Sequence, residues 1–244
     1  MRLDLPAAAA EAWAMWRADR ALLWPLAGIF LFLPSLALIL FLPALPVRPP
    51  ADAGIEATRM FNRAAIGWFA ANMPLLMPVL LVTSFGQLAV LALYLGERRS
   101  TLAEGLVRAA GLFPRYLLAM VISGAMVFGG LVLFILPGIY LAGRTLLVGA
   151  AVAGEPGSPT GAVGRTFALS RRHGFVLAGV WLLAVLAAQL LGQPLVLIEQ
   201  GLRQAGVANL VVIFALNALA AAVSAAVALG FTLFQIGLYR QLAR

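Results

Sequence analysis

Six long apolar stretches dominate this chain, at 21–45, 74–96, 116–136, 139–153, 175–198 and 207–239, with arginine-bearing segments between them. An α-helix needs about 20 apolar residues to cross a hydrocarbon core about 30 Å thick. Inside lipid every backbone N–H and C=O must find its partner within the chain, so only helices and closed barrels survive there. Most of these runs are much longer than the roughly 10-residue strands of a barrel. The sequence therefore predicts one all-α domain over residues 1–244, a polytopic membrane protein with six transmembrane helices. Composition points the same way, with 63% hydrophobic residues, 11% charged residues and a mean hydropathy of +1.00.

Charge placement carries the next step. All 17 basic residues are arginine, and the formal net charge is +8. On a soluble protein that excess would point to nucleic acid. Here the arginines lie in connectors, where they set topology and meet anionic headgroups, so membrane lipids are the expected partner and nucleic acid is not. Placing both termini and the connectors at 97–115 and 154–173 on one side gathers twelve arginines there against four opposite, with Arg144 left inside a span. The positive-inside rule makes both termini cytoplasmic. The all-arginine basic set and abundant alanine look like the usage of a GC-rich bacterial genome, and a bacterial inner membrane is the expected location; the N-terminus has no cleavable-leader pattern, so the first span is expected to stay.

Several chemistries are excluded directly. The absence of cysteine removes disulfides, thiolate catalysis and cysteine-ligated metals, and the single histidine, His173, has no second ligand nearby in sequence. No cofactor or metal is expected. Phosphate-loop, zinc-protease and serine-hydrolase signatures are absent, and every carboxylate falls outside the apolar cores, which leaves no proton relay. The expected role is non-enzymatic: an envelope- or lipid-associated membrane module. Two alternatives stay open, a small-molecule or lipid translocator with its site near Arg144 and an intramembrane enzyme.

Local patterns predict the connectors. Pro137-Gly138 reads as a tight outer turn, and the returning helix over 139–153 covers only about 22 Å. The last stretch would be about 50 Å long as one helix, so it either projects from the bilayer or breaks near Asn217 or Gly230. A basic amphipathic segment precedes an outward span three times, at Arg20, Arg115 and Arg172. This implies a weak threefold repeat of helix hairpins, each with a cytoplasmic interfacial helix. In the second, Leu102, Leu106, Ala109 and Phe113 share one face and Glu104, Arg108 and Arg115 the other. Gly54 to Trp68 reads as a further helix lying flat on the outer surface.

Arg144 is the sharpest candidate residue, because an ionisable group inside a span is costly. It could hold an anionic ligand or lipid headgroup, with Gln189, Gln193 and Asn209 as polar companions. The competing reading is that its side chain snorkels about 9 Å to the outer interface. Gln87, Asn217 and Gln235 are read as interhelical packing groups, with a shared polar cavity as the alternative. Arg108, Arg115, Arg165, Arg171 and Arg172 form a basic rim for anionic headgroups, each worth about 1 kcal/mol near such a surface.

The segment Leu136-Pro-Gly-Ile-Tyr-Leu-Ala-Gly-Arg144, with Gly154-Glu155 and then Ala162-Val-Gly-Arg165-Thr166-Phe167-Ala-Leu169-Ser170-Arg171, resembles bacterial inner-membrane proteins of the YciC type. It is also similar to the membrane domain fused to some glycerophosphodiester phosphodiesterases. Thr166 stands where the family pattern has serine, and its glycine comes late, at Gly174. The resemblance implies a six-span module of undefined biochemistry. It does not bring the hydrolase activity, since these residues contain no such catalytic domain.

Overall fold

The computed structural model describes residues 3–50, 52–96, 101–204 and 209–243, without the side chains of 192, 193, 196, 200, 203 and 204. Helix α1 (Leu5–Ala27) continues through a π-helical turn, Gly28–Phe32, into α2 (Leu33–Phe41). Then follow α3 (Gly54–Leu95), α4 (Leu102–Leu133), α5 (Ile135–Thr145) and α6 (Val148–Gly154). The chain ends with α7 (Pro159–Leu169), α8 (Gly174–Gln204) and α9 (Leu210–Leu242). Six of the resulting units are long and apolar enough to span a membrane: 5–41, 54–95, 102–133, 135–154, 174–191 and 210–242. The protein is an all-α polytopic membrane protein.

The connectors differ from expectation in an instructive way. The first two interfacial helices are not separate. Residues 5–20 run on into the first span through a kink at Asp19 (φ −118°, ψ 23°), and 102–115 run on into the third through Pro114. The flat outer helix is likewise absent, because Gly54 to Trp68 is the opening of the 42-residue α3. Helix hydrogen bonding is cooperative, so each amphipathic stretch extends its neighbour despite the kink at Asp19 and the proline at 114. Only α7, set off by its Ser158 cap and the irregular segment 170–173, is a free-standing connector helix.

The tight turn falls earlier than predicted. A single extended residue, Phe134 (φ −159°, ψ 149°), separates α4 from α5. Pro137 sits in the first turn of α5, where its missing N–H leaves no bond unmade. Gly138 lets the hairpin close, since a Cβ there would stand 2.4 Å from the Leu131 side chain. The fourth span is instead interrupted at Leu146 and Leu147, between α5 and α6. The last span runs unbroken through Asn217 and Gly230, for about 50 Å.

Spans pack around the bundle in a closed order. The first lies against α9, α9 against α8, α8 against α5, and α5 and α6 against α4, while α4 meets α3 and α3 returns to α2 and α9. Both chain ends share one face, which we call the terminal face: the Asp4 amide donates to Gln241 Oε1 at 3.1 Å, and Gln241 Nε2 donates to the Asp4 carbonyl at 3.0 Å. The core concentrates in the half beneath it. In α3 the buried residues are Gly86 and Leu88 to Leu93, and none lies between 54 and 85. In α8 the described buried residues all precede Trp181.

Candidate functional site

Three of the five rim arginines turn inward, onto the end of α6. That helix leaves its last carbonyls without intrahelical partners, and a cationic side chain there satisfies both hydrogen bonding and the helix dipole. Arg108 Nη2 donates to the Ala153 carbonyl at 2.8 Å, and Arg115 Nη1 donates to the Glu155 carbonyl at 2.7 Å. Arg165 Nε pairs with Glu155 Oε1 at 2.8 Å, and the Tyr239 hydroxyl donates to the same oxygen at 2.7 Å. Burial pushes the Glu155 carboxyl up, but the hydrogen bonds from Tyr239 and Arg165 and the charges of Arg165 and Arg115 outweigh it. Its pKa is therefore held below the ordinary carboxylate value of 4.5. Arg171 and Arg172 remain exposed.

Arg144 is also engaged, and not toward the distal face. Its Nε donates to Ser170 Oγ at 2.6 Å, Nη1 to the Tyr140 hydroxyl at 2.9 Å, and Nη2 to the Phe167 carbonyl at 2.5 Å. The guanidinium also lies 4.7 Å from the Phe167 ring centroid and 5.7 Å from that of Tyr140. Snorkelling is overturned: the side chain clasps α5 to the end of α7. Beside it, Gly143 permits α5 to touch α8, where a Cβ would meet the Ala178 backbone nitrogen at 2.3 Å.

The other companions are not brought to Arg144. Gln189 is exposed on α8, and Asn209 caps α9, its Oδ1 accepting from the Val211 amide at 2.9 Å. The side chain of Gln193 lies outside the described residues. So do Arg2, Arg98, Arg99 and Arg244, which entered the charge count.

Two concave features stand out instead. The first is an apolar groove of about 780 Å³ between the first span and α9. Its walls are small, including Ala12, Ala27, Ala226 and Gly230, and Trp13, Trp16 and Trp24 border it. Trp13 and Trp16 stack at 4.8 Å, and Arg17 lies over the Trp13 ring at 5.9 Å. Arg17 and Arg20 are exposed and form no ion pair among the described residues. Periodicity hid this groove, because the tryptophans and arginines of α1 belong to one helix with the span below them.

The second is a cavity of about 280 Å³ inside the bundle, walled by α3, α4, α5, α6, α8 and α9. Gln87, Tyr116, Ser123, Thr145, Trp181 and Gln235 line it. Sequence singled out Gln87 and Gln235, whereas Ser123 and Thr145 carried no signal that could place them. Arg144 is not part of its wall, although its neighbour Thr145 is.

No protein-family model, no curated protein and no solved structure matches this chain.

Proposed function

We propose that this protein is a non-enzymatic membrane module that holds an anionic lipid against its first and last spans. The groove between them carries the reading. Its lower part is apolar and runs along spans whose composition belongs in hydrocarbon, which suits an acyl chain. Toward the terminal face its wall includes Trp13 and Trp16; Arg17 lies over the Trp13 ring and Arg20 follows three residues later on the same helix, both outside the wall itself. Amphipathic rings and unpaired cations at that height suit a phosphate-bearing headgroup. A module of this kind fits a bacterial inner membrane with both termini cytoplasmic, where anionic lipid is abundant.

The basic-rim reading narrows accordingly. Arg108, Arg115 and Arg165 are occupied by protein groups, which leaves Arg17, Arg20, Arg171 and Arg172 to face the membrane surface. A relation to YciC-type modules supports the same view: its two signature segments meet through Arg144, Phe167 and Ser170, so they read as a fold-holding clasp. The non-enzymatic reading is supported by the separation of Gln189 and Asn209 from Arg144.

Native mass spectrometry of protein purified with phosphatidylglycerol and phosphatidylcholine tests the proposal. Wild type should retain phosphatidylglycerol selectively. Arg17→Ala with Arg20→Ala should weaken that retention about thirty-fold, from about 1 kcal/mol per arginine. Ala226→Trp should remove it by filling the groove. Equal retention of both lipids, or no change in these variants, would overturn the reading.

A further inference from the structure

We propose that the cavity inside the bundle is a second, separate binding site, for an uncharged amphiphile whose polar end carries ester and hydroxyl oxygens, such as a monoacylglycerol. The cavity is lined by polar groups that protein atoms leave unpartnered. The Gln87 and Gln235 amides, the Tyr116 hydroxyl and the Trp181 indole N–H make no hydrogen bond among the described residues. A polar group set among apolar spans costs free energy unless it is paired, so these four residues around one space favour an occupant with matching atoms.

The donor and acceptor pattern sets the occupant's chemistry. Ser123 Oγ donates to the Ala119 carbonyl at 2.8 Å, and Thr145 Oγ1 donates to the Leu141 carbonyl at 2.9 Å. Their hydrogens are spent, so each oxygen keeps only acceptor capacity. Tyr116, Trp181 and the two amide nitrogens offer donors. A matching ligand thus brings several acceptor oxygens and one or two hydroxyl donors. Among the described residues no charged side chain lines the cavity. An ionised headgroup would lie there without a counter-charge, which excludes phosphate and carboxylate.

Access comes from the bilayer. Met120 and Gly124 lie on the wall formed by α4 and are both exposed on that helix, so the cavity opens sideways between spans. An amphiphile can enter polar end first and leave its chain in the surrounding lipid. A volume of about 280 Å³ admits a glycerol group with one ester and is small for a complete lipid.

The test uses the full chain in phosphatidylcholine nanodiscs with a monoacylglycerol bearing a diazirine on the chain carbons next to its ester, the part that enters the cavity. Cross-links should map to peptides covering 116–127 and 231–235, and excess unlabelled monoacylglycerol should suppress them at least five-fold, while phosphatidic acid should not. Gly124→Phe should reduce the same cross-links at least five-fold. A Cβ at 124 meets nothing within 4 Å, so the new side chain starts in open space at the cavity wall. Gln87→Leu with Gln235→Leu should do likewise by removing the amides. Labelling spread evenly over the lipid-facing surface, or equal suppression by phosphatidic acid, would overturn the proposal. The competition on wild-type protein decides even where a variant fails to fold. Because Arg17 and Arg20 lie outside this cavity, their substitution should leave the monoacylglycerol cross-links unchanged, which separates this site from the groove.

Discussion

The two halves of the bundle are held together by different physics. Beneath the terminal face, glycine contacts bring helix backbones together, and arginines close the ends of helices that would otherwise leave carbonyls bare. Arg144, Arg108 and Arg115 act in this way, Arg165 pairs with the Glu155 carboxylate, and Arg240 ties α9 to α1 through Glu11 at 2.7 Å and to the Tyr94 carbonyl at 2.6 Å. In the distal half, α3 up to residue 85 and the described part of α8 beyond Trp181 bury no residue. A tie there is the Trp68 indole, which donates to the Pro43 carbonyl at 3.2 Å. The lesson is that lipid supplies no hydrophobic drive between helices, so spans associate where close backbone approach and polar bonds are available.

The comparison is broken most severely at the clasp. Arg144→Ala removes three hydrogen bonds to a charged donor and leaves Ser170 and Tyr140 without it, for an expected loss of about 3 kcal/mol. The check is the thermal transition in detergent, where Arg144→Lys should recover part of the loss, since an ammonium can serve only some of these acceptors. Next comes Gly143→Ala, whose methyl group would press on the α8 backbone; overpacking of this kind costs about 1–3 kcal/mol.

Glu155 sharpens the comparison through pH. Its pKa is depressed in the folded state, so its contribution is present above the ordinary carboxylate range and fades as pH falls through the folded value. The transition temperature of wild type should therefore drop as pH is lowered below about 4.5, and Glu155→Gln should flatten that part of the profile. Both side chains of the Arg165 pair are more than one-third exposed, so screening holds the effect to about 1 kcal/mol or less. The smallest effect belongs to the distal half. Gly67→Ala meets nothing within 4 Å and replaces a flexible residue in a helix, so it should stabilise by about 0.5–1 kcal/mol in the same thermal assay.

Much of the architecture was legible in the residues. Run lengths of apolar residues gave six spans, because hydrocarbon thickness imposes helix length directly. The third interfacial helix was likewise readable, and α7 stands there as a separate helix. The joins between helices were not. Whether 102–115 and 116–133 form one helix or two depends on cooperative backbone bonding that amphipathicity does not report. Depth misled as well: counting six residues from the turn placed Arg144 near the distal surface, while its bonds depend on α7 folding back beside α5. The polar cavity draws single residues from several helices, and no spacing along one helix encodes that meeting.

The central claim is that the terminal half holds this bundle together while the distal parts of α3 and α8 are loosely joined. The chain has no native cysteine, so spin labels can be placed as chosen pairs and their separations measured by double electron–electron resonance in nanodiscs. Labels at Ala18 and Gly164 report the terminal half, and labels at Ile55 and Leu190 the distal half; all four positions are exposed. A narrow distance distribution for the first pair and a broad one for the second is the expected result. Equal widths, or a terminal pair broader than the distal one, would contradict the account.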